Sequence, residues 1–412
     1  MIVSLLRVAC IAVLLGAVPA AAFAQDAPFR IGVIDDMSGI YSGNGGPGTV
    51  LATKMAVEDF GGKVLGRPIE VVSADHQSKP DIGAALARQF IEQQGVSAII
   101  PGGASSVGLA VQAIARSLKK TTLVSGGYAS NFSGDGCSPY GTQWAPSTSE
   151  LSKTIAKGIV DAGGKKWFFI VADYVFGKNL AADAGETVKA SGGQVVGQVL
   201  HPLNVTDLAS QLLAAQSSGA DVIGLANAGP DLVLAIKQAR EFGVSAKLAT
   251  MLVFENNVTA LGLSTAQGLR LAASFYWDLN EETRAWSKRF MARNGNNVPT
   301  MGHVLAYLAT THYLKAVTAT GTDDAAQVQT RMLQQPIDGN LIQHAHIQPN
   351  GRVLSDMHIF EVKSPQDSKS PADLYKLVAT LPGDGLFVAA EKSGCPISPC
   401  GENIKVGIGV SS

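Results

Sequence analysis

The chain has 412 residues, a formal net charge of −1 at pH 7 and 46% hydrophobic residues. This length is too great for one compact core and predicts two lobes of ordinary domain size. The sequence contains no run of basic residues, which argues against nucleic acid as a partner, and beyond the N-terminal segment it has no apolar stretch of membrane length.

The chain begins with a segment typical of a secretion signal. One basic residue, Arg7, precedes an apolar run from Val8 to Val18, and the Ala-Phe-Ala sequence at 22–24 fits the small-x-small cleavage pattern. The apolar run is well short of the roughly 20 residues that a membrane-spanning helix needs. We therefore expect cleavage after Ala24 and a mature protein outside the cytoplasm.

Short β-branched runs then alternate with amphipathic helical segments, which predicts an α/β fold of parallel sheets with helices on both faces. The predicted strands are Arg30–Asp35, Ile69–Ala74, Ser97–Ile100, Thr121–Val124, Trp167–Ala172, Val195–Leu200, Asp221–Ala226, Leu269–Ala273, Met357–Val362 and Leu374–Ala379. The predicted helices include Thr49–Phe60, Asp81–Gln94, Val107–Leu118, Asp207–Ser217, Asp231–Phe242, Glu281–Arg293 and Gly302–Thr320.

This alternation runs in two similar halves. The first series ends near Gln143–Ser147, and the second starts at Leu151 and reaches the aromatic run Phe275–Trp277. The tail after Leu386 is predicted to be irregular. Two wound sheets would leave a cleft at the carboxyl ends of their strands, where ligands of open α/β sheets bind.

The first loop contains a literal G-x-G-x-x-G sequence at Gly43–Gly48. A dinucleotide-binding fingerprint needs its first glycine immediately after the first strand, so that the pyrophosphate meets the helix N-terminus. Here the seven residues Asp36–Ser42 intervene. The loop is therefore predicted to form the rim of a cleft, and no cofactor is expected.

Two turns rich in glycine and serine follow neighbouring strands, PGGASS at Pro101–Ser106 and SGGYAS at Ser125–Ser130. Small residues leave backbone N–H groups open, and a helix N-terminus attracts a carboxylate without a basic side chain. Together the turns predict an anion-binding edge. The alternative is simple helix capping by Ser105 or Ser106.

In the second half, three segments follow strands: ADYVFG at Ala172–Gly177, LANAGP at Leu225–Pro230 and LVFENN at Leu252–Asn257. We expect the aromatic residues Tyr174 and Phe176 to face the cleft; the alternative is that they belong to the core.

The sequence gives no sign of catalysis or of a metal site. It has no G-x-S-x-G elbow, and its seven histidines show no metal-ligand spacing. Because no nucleophile with a nearby base is recognisable, no enzyme activity is predicted.

Cysteine use fits an oxidising compartment. Beyond the leading segment lie Cys137, Cys395 and Cys400, enough for one disulfide and one free thiol. A Cys137–Cys395 bond would tie a loop to the distant C-terminus, whereas Cys395–Cys400 would close a small loop. The sequence does not choose between these pairings.

Taken in order, these motifs resemble the extracytoplasmic solute-binding proteins of branched-chain-amino-acid-type ABC importers, over roughly 29–395. The marks are I-G-x-x-x-x-x-S-G from Ile31, the GGASS and SGG turns, YVFG before a helix, and FYWD at Phe275–Asp278. The chain looks most like the branch of that family associated with aromatic acids.

The resemblance implies a type I periplasmic binding protein, with two doubly wound parallel-sheet lobes joined by three hinge crossings. It implies an N-terminal lobe of 28–145 plus 276–350, a C-terminal lobe of 146–275 plus 351–390, and an irregular tail at 391–412. Such a protein is a periplasmic monomer that closes on a small solute without chemistry and passes it to an ABC permease of the inner membrane.

The resemblance also implies a set of ligand-binding residues. These are Tyr41, Gly103, Ser105, Ser106, Gly127, Ala129, Tyr174, Phe176, Asn227 and Phe254. The serines and the backbone near Gly103 and Gly127 would hold a carboxylate, and the aromatic residues would enclose the apolar body. Ala129 departs from the family, because amino-acid binders commonly have Thr there.

The most informative departure lies near Phe254. Amino-acid-binding members place a Glu at this position to pair with the ligand ammonium, whereas here Phe254 aligns with it and Glu255 follows one residue later. The sequence therefore favours an apolar, aromatic carboxylic acid as ligand. The alternatives are a branched-chain or other amino acid, or a ligand sensor built on the same clamp.

Overall fold

A computed structural model describes residues 27–396 of the chain. Its strands are β1 (Phe29–Asp35), β2 (Lys63–Val64), β3 (Arg67–Asp75), β4 (Val96–Pro101), β5 (Thr121–Val124), β6 (Gly141–Gln143), β7 (Lys166–Ala172), β8 (Gln194–His201), β9 (Val222–Ala226), β10 (Lys247–Thr250), β11 (Arg270–Ala273), β12 (His346–Ile347), β13 (Val353–Leu354), β14 (Met357–Val362) and β15 (Tyr375–Leu381). Its helices are α1 (Gly46–Phe60), α2 (Pro80–Glu92), α3 (Ser105–Ser117), α4 (Thr148–Asp161), α5 (Val175–Ala190), α6 (Ala209–Ser217), α7 (Gly229–Glu241), α8 (Glu255–Leu261), α9 (Leu263–Ala266), α10 (Glu281–Arg293), α11 (Met301–Thr320) and α12 (Ala325–Gln334).

The first sheet has six strands in the order β2-β3-β1-β4-β5-β6, parallel apart from the antiparallel β2–β3 pair. Strands β4 and β5 are buried throughout, as expected where helices cover both faces of a sheet. A Cβ on Gly32 would lie 2.6 Å from the Phe90 ring, so the glycine lets α2 pack directly on the sheet. The register pairs Asp35 with Asp75, which aligns the carboxyl ends of the strands at one edge.

The second sheet has four parallel strands in the order β10-β9-β7-β8. The strand β8 lies at its edge and alternates exposed and half-buried residues, whereas β9 is buried throughout. Helix α7 begins with Pro230 in its first turn, and Gly243 follows its end with φ of +65°, as the sequence predicts.

A third, three-stranded sheet, β11-β14-β15, is antiparallel. This differs from the expectation that the strand near Leu269–Ala273 belongs to a parallel sheet. The physical reason is that β11 pairs with β14, which comes about 90 residues later in the chain after α10–α12 have returned to the first unit, so no βα connection sets the direction of this pair.

Helices α10, α11 and α12 return to the first sheet: α11 packs on α1 and β5, and α12 packs on α11. We call β1–β6 with α1–α3 and α10–α12 the first unit, and β7–β11 with α4–α9, β14 and β15 the second unit. The chain passes between these units three times: after β6, after β11 and before β14. The fold prediction is confirmed, while the residue boundaries predicted for the lobes stay a prediction.

A buried ion pair lies where the first and third crossings meet. The Arg352 guanidinium donates to Glu150 Oε2 at 2.6 Å and to the carbonyl of Ala145, and both charged side chains are 2% exposed. Gln143 pairs with Arg352 in an isolated parallel bridge beside them. The same Glu150 oxygen accepts from the backbone N–H of Ser147, so the charges are paired within the crossing.

The C-terminal tail runs from the second unit to the first. The Leu386 carbonyl accepts from Lys153 Nζ at 2.8 Å, and the tail then reaches Cys395, which is bonded to Cys137 of the first unit. Of the two pairings left open by the sequence, the structure therefore forms Cys137–Cys395, whereas Cys400 lies outside the described residues. Apart from one 3₁₀ turn the tail is irregular up to residue 396.

The predicted signal at 1–24, with cleavage after Ala24, also lies outside the described residues. Between residues 27 and 396, no helix has both the length and the apolar character needed to cross a membrane.

Candidate functional site

A cavity lies between the carboxyl edges of the two parallel sheets. The empty space between its lining residues, open solvent included, is about 450 Å³. The first unit lines it with Tyr41, Asn44, Gly45, Thr49, Gly103, Ser105, Gly126, Tyr128 and Gly302. The second unit lines it with Tyr174, Phe176, Ala228, Leu252 and Phe254.

Five long helices begin at this cavity. Four of them, α1, α3, α5 and α7, follow parallel strands and therefore start at the carboxyl edge of a sheet, whereas α11 follows α10. The lining residues at these helix starts are Gly45 of α1, Ser105 of α3, Gly302 of α11, Tyr174 of α5 and Ala228 of α7. Each helix N-terminus carries partial positive charge on its free N–H groups. The cavity is therefore suited to an anionic group.

The lining itself carries no charge. Among residues 27–396, the cavity is lined by no Lys, Arg, His, Asp or Glu. Any charge on a ligand would therefore be balanced by backbone dipoles and hydroxyl groups rather than by an ion pair.

Ser105, like Thr49, is a buried hydroxyl residue of the first wall, 2% exposed. Its Oγ accepts from the backbone N–H groups of Tyr128 and Ala129, both at 3.2 Å. Because these contacts occupy the oxygen, the hydroxyl hydrogen is left to donate. Gly103 precedes it with φ of +67°, where a Cβ would lie 2.9 Å from the His76 ring, so this bend requires glycine.

The predicted residues Ser106, Gly127 and Ala129 do not line the cavity. The carbonyls of Gly127 and Ala129 accept from Gln143 Nε2, each at 3.0 Å, and these two hydrogen bonds anchor the turn to the end of β6. The turn instead presents Gly126 and Tyr128 to the cavity.

Asn227 also lies outside the lining. Its amide nitrogen is 3.2 Å from Nε2 of the buried His201, which does not line the cavity either. The next residue, Ala228, lines the cavity instead because it begins α7.

Aromatic side chains of the two units meet across the cavity. The hydroxyl oxygens of Tyr41 and Tyr174 are 2.9 Å apart, and Tyr128 contacts Phe254 edge to face with ring centroids 5.8 Å apart. The prediction that Tyr174 and Phe176 face the cleft rather than the core alone fits their place in the lining. With the 2.9 Å hydrogen bond from Asn256 to Asn44, these contacts join the two units across the cleft.

The structure separates Phe254 from Glu255. Phe254 precedes α8 and lines the cavity, whereas Glu255 is the first residue of α8 and lines a neighbouring cavity with Asn256 and His303. Glu255 is 4% exposed, and burial raises its pKa to about 8. The carboxyl group next to the site is thus neutral near pH 7 and faces elsewhere.

Sequence inspection missed several lining residues, including Thr49, Leu252 and Gly302. Thr49 adjoins the G-x-G-x-x-G sequence and Leu252 begins the LVFENN segment, so both could have been found from helix and strand ends. Gly302 comes from α11, far along the chain, and no local signal marks it. A buried carboxylate, Asp35, was also missed: its Oδ1 accepts from the N–H of Asp36, and burial raises its pKa.

Between residues 27 and 396, histidines and carboxylates do not assemble into a metal site. In the part of the chain that the structure describes, no three His, Cys, Asp or Glu side chains are placed to hold a metal ion.

Similarity to known proteins identifies the family of the chain. The sequence pattern of the family described as "Periplasmic binding protein" matches residues 28–369. The chain belongs to this family. Family and fold are those of solute-binding components of ABC transporters, and the family places the protein in the periplasm.

Three solved structures of the same fold are similar to the chain. A periplasmic binding protein from Burkholderia mallei is 43% identical, with a TM-score of 0.87, and the match covers 90% of this chain and 98% of the other. A branched-chain amino acid ABC transporter periplasmic ligand-binding protein from Burkholderia xenovorans is 34% identical, with a TM-score of 0.80 and coverage of 89% and 99%. A solute-binding protein of an ABC transporter from R. palustris, in complex with benzoate, is 20% identical, with a TM-score of 0.79 and coverage of 90% and 100%. The resemblance predicted from the motifs and the type I fold are both confirmed.

Proposed function

We propose that this periplasmic binding protein holds a small aromatic carboxylic acid in the cavity between its units and delivers it to an ABC permease. The observation that carries the proposal is that the small polar side chains of the lining, Asn44, Thr49 and Ser105, come from the first unit, whereas the apolar Phe176, Leu252 and Phe254 come from the second; we call these sets the polar wall and the aromatic wall. Tyr41 and Tyr128 of the first unit contact Tyr174 and Phe254 of the second. A ligand that matches both walls has one anionic end and one apolar ring.

The polar wall suits a carboxylate. The Ser105 hydroxyl and the free N–H groups at the starts of α1, α3 and α11 converge on it, and helix N-termini bind carboxylates without a counter-ion. We assign carboxylate binding to Ser105 and to the backbone near Gly103 and Gly126.

The aromatic wall suits a ring and disfavours an ammonium group. Phe176, Leu252 and Phe254 present apolar surface, and the carboxyl of Glu255 lines the neighbouring cavity instead. An amino acid bound here would bury its ammonium group without a carboxylate partner, which is costly. The benzoate complex of the R. palustris protein shows that this fold accommodates such a ligand.

The lining also supports binding rather than catalysis. Within residues 27–396 the cavity offers Ser105 no His or carboxylate that could act as a general base. We propose that the lobes, 28–145 plus 276–350 and 146–275 plus 351–390, close about the three crossings on ligand, since contacts to both walls favour the closed state. The protein is proposed to act as a monomer.

The proposal is tested by calorimetric titration of the mature protein with benzoate and with leucine. We expect benzoate to bind and leucine to give no heat of binding. Binding of leucine alone would overturn the aromatic-acid proposal in favour of an amino-acid carrier.

A further inference from the structure

Two tyrosine hydroxyls meet inside the cavity at the side of α7. Tyr41 comes from the loop after β1 and Tyr174 from the end of β7, and their oxygens are 2.9 Å apart. Tyr41 is 4% exposed, and its ring lies 3.2 Å from the position that a Cβ on Gly229 would occupy. The glycine therefore fixes how deeply the Tyr41 ring sits against α7.

This tyrosine pair has unused hydrogen-bonding capacity. Two phenol groups offer two hydrogens and four lone pairs, and their mutual bond uses one of each. Across residues 27–396, neither hydroxyl makes another hydrogen bond with protein atoms. One hydrogen and three lone pairs therefore remain on this pair, of which Tyr41 is buried, and unpaired polar groups are unfavourable at a buried position.

The surroundings determine which ligand group fits. Burial raises the pKa of both phenols, so both are neutral at physiological pH. The carboxylate of Asp231, held by the N–H groups of Asn204 and Val205, adds negative charge behind the pair. A second anionic group is disfavoured here, whereas a neutral hydroxyl can accept the spare hydrogen and donate in return.

We propose that the Tyr41–Tyr174 pair binds a hydroxyl group on the ring of the ligand, so that hydroxylated aromatic carboxylic acids are the preferred class. This inference rests on the proposed function, because it assumes that the carboxylate lies at Ser105. It assigns the pair a specificity role beyond holding the two units together.

The test is calorimetric titration with benzoate, 3-hydroxybenzoate, 4-hydroxybenzoate and 4-methoxybenzoate. Proteins compared are the wild type, Tyr41→Phe, Tyr174→Phe and the control Tyr307→Phe, which removes a hydroxyl bonded to Asp59 outside the cavity. We expect at least one hydroxybenzoate to bind about tenfold or more tightly than benzoate, a preference worth one hydrogen bond. The methoxy compound, which cannot donate, should lose part of the gain.

The affinity ratio of hydroxybenzoate to benzoate separates the possible outcomes. This ratio should approach one in the two cavity variants, Tyr41→Phe and Tyr174→Phe, and stay at the wild-type value in Tyr307→Phe. If the pair serves only as a latch between the units, the cavity variants weaken all ligands equally and keep the ratio, which overturns the inference.

Equal binding of benzoate and both hydroxybenzoates by the wild type also overturns the inference and leaves the proposed function standing. If none of the four compounds binds, the proposed function itself fails, and the inference fails with it. Should the cavity variants not fold, the comparison of the four ligands on the wild type still decides.

Discussion

The two walls of the cavity differ in chemistry although both are built from strand–loop–helix units. The first unit contributes glycines and small hydroxyl or amide side chains such as Asn44, Thr49 and Ser105, together with two tyrosines, whereas the second contributes the apolar Phe176, Leu252 and Phe254. Similar folds place helix N-termini on both sides, so the fold provides the partial positive charge and the side chains decide which end of a ligand each wall accepts. Selectivity then depends on closure, since neither wall alone matches an amphipathic ligand.

The largest effect is expected at the crossings, which place the two walls opposite each other. Replacing Arg352 by Met leaves Glu150 as an unpaired buried charge, and removing one partner of a buried pair typically costs about 3–5 kcal/mol. We expect a fall of that size in the free energy of unfolding, measured by urea denaturation. Arg88→Met, which breaks an exposed pair with Glu92, is the control and should lose less than about 1 kcal/mol. Equal losses in the two variants would contradict a structural role for the crossing.

The aromatic wall is tested by giving it a charge. Phe254→Glu places a carboxylate on the lining, where it is desolvated and repels the proposed ligand carboxylate. We expect benzoate affinity to fall by on the order of 100-fold in calorimetric titration. Phe254→Leu keeps the wall apolar and should lose far less. If both variants bind benzoate equally, Phe254 does not face the ligand.

The polar wall is tested at its buried hydroxyl. Ser105→Ala removes a donor to the ligand and the acceptor for two backbone N–H groups, which should weaken benzoate binding by about 10- to 100-fold. Ser117→Ala, at the exposed end of the same helix, is the matched control. Unchanged affinity in Ser105→Ala would move the carboxylate away from this wall.

The smallest expected effect concerns Glu255, which lies outside the cavity lining. Between the ordinary Glu pKa of 4.5 and about 8, folded Glu255 keeps a proton that the unfolded chain has lost, so stability falls as pH rises through this window. The pKa of the neighbouring His303 is lowered by burial to about 4, so His303 stays neutral there. In Glu255→Gln we expect the gain in Tm over wild type to widen from pH 5 to pH 8. A constant difference would show that Glu255 is ionised in the folded protein.

Much of the architecture could be predicted from local pattern. The strand at Thr121–Val124 and the helix at Glu281–Arg293 have the predicted bounds, because β-branched runs and capped amphipathic segments are encoded within each element. The antiparallel β11–β14 pairing was not predicted, since it joins segments about 90 residues apart in the chain and no local signal reports partner choice.

The candidate site shows the same difference between what local pattern predicts and what tertiary contacts decide. Tyr41, Gly103, Ser105, Tyr174, Phe176 and Phe254 were predicted and line the cavity. Ser106, Gly127, Ala129 and Asn227 were predicted and lie outside it. A motif indicates which loop approaches the cleft, whereas the direction of each side chain depends on how the turn is anchored, here by Gln143 behind Gly127 and by His201 behind Asn227.

The sequence by itself determined the family, the succession of strands and helices, and the small uncharged turns that suit an anion, because these depend on residues close together in the chain. Only the tertiary structure decided that Phe254 rather than Glu255 faces the cavity, that Cys137 bonds Cys395, and that two tyrosine hydroxyls meet across the cleft. These facts depend on contacts between distant segments. At the start of α8, for example, a rotation by one residue would place the Glu255 carboxyl group in the cavity instead of the Phe254 ring. The packing of the two units fixes that rotation.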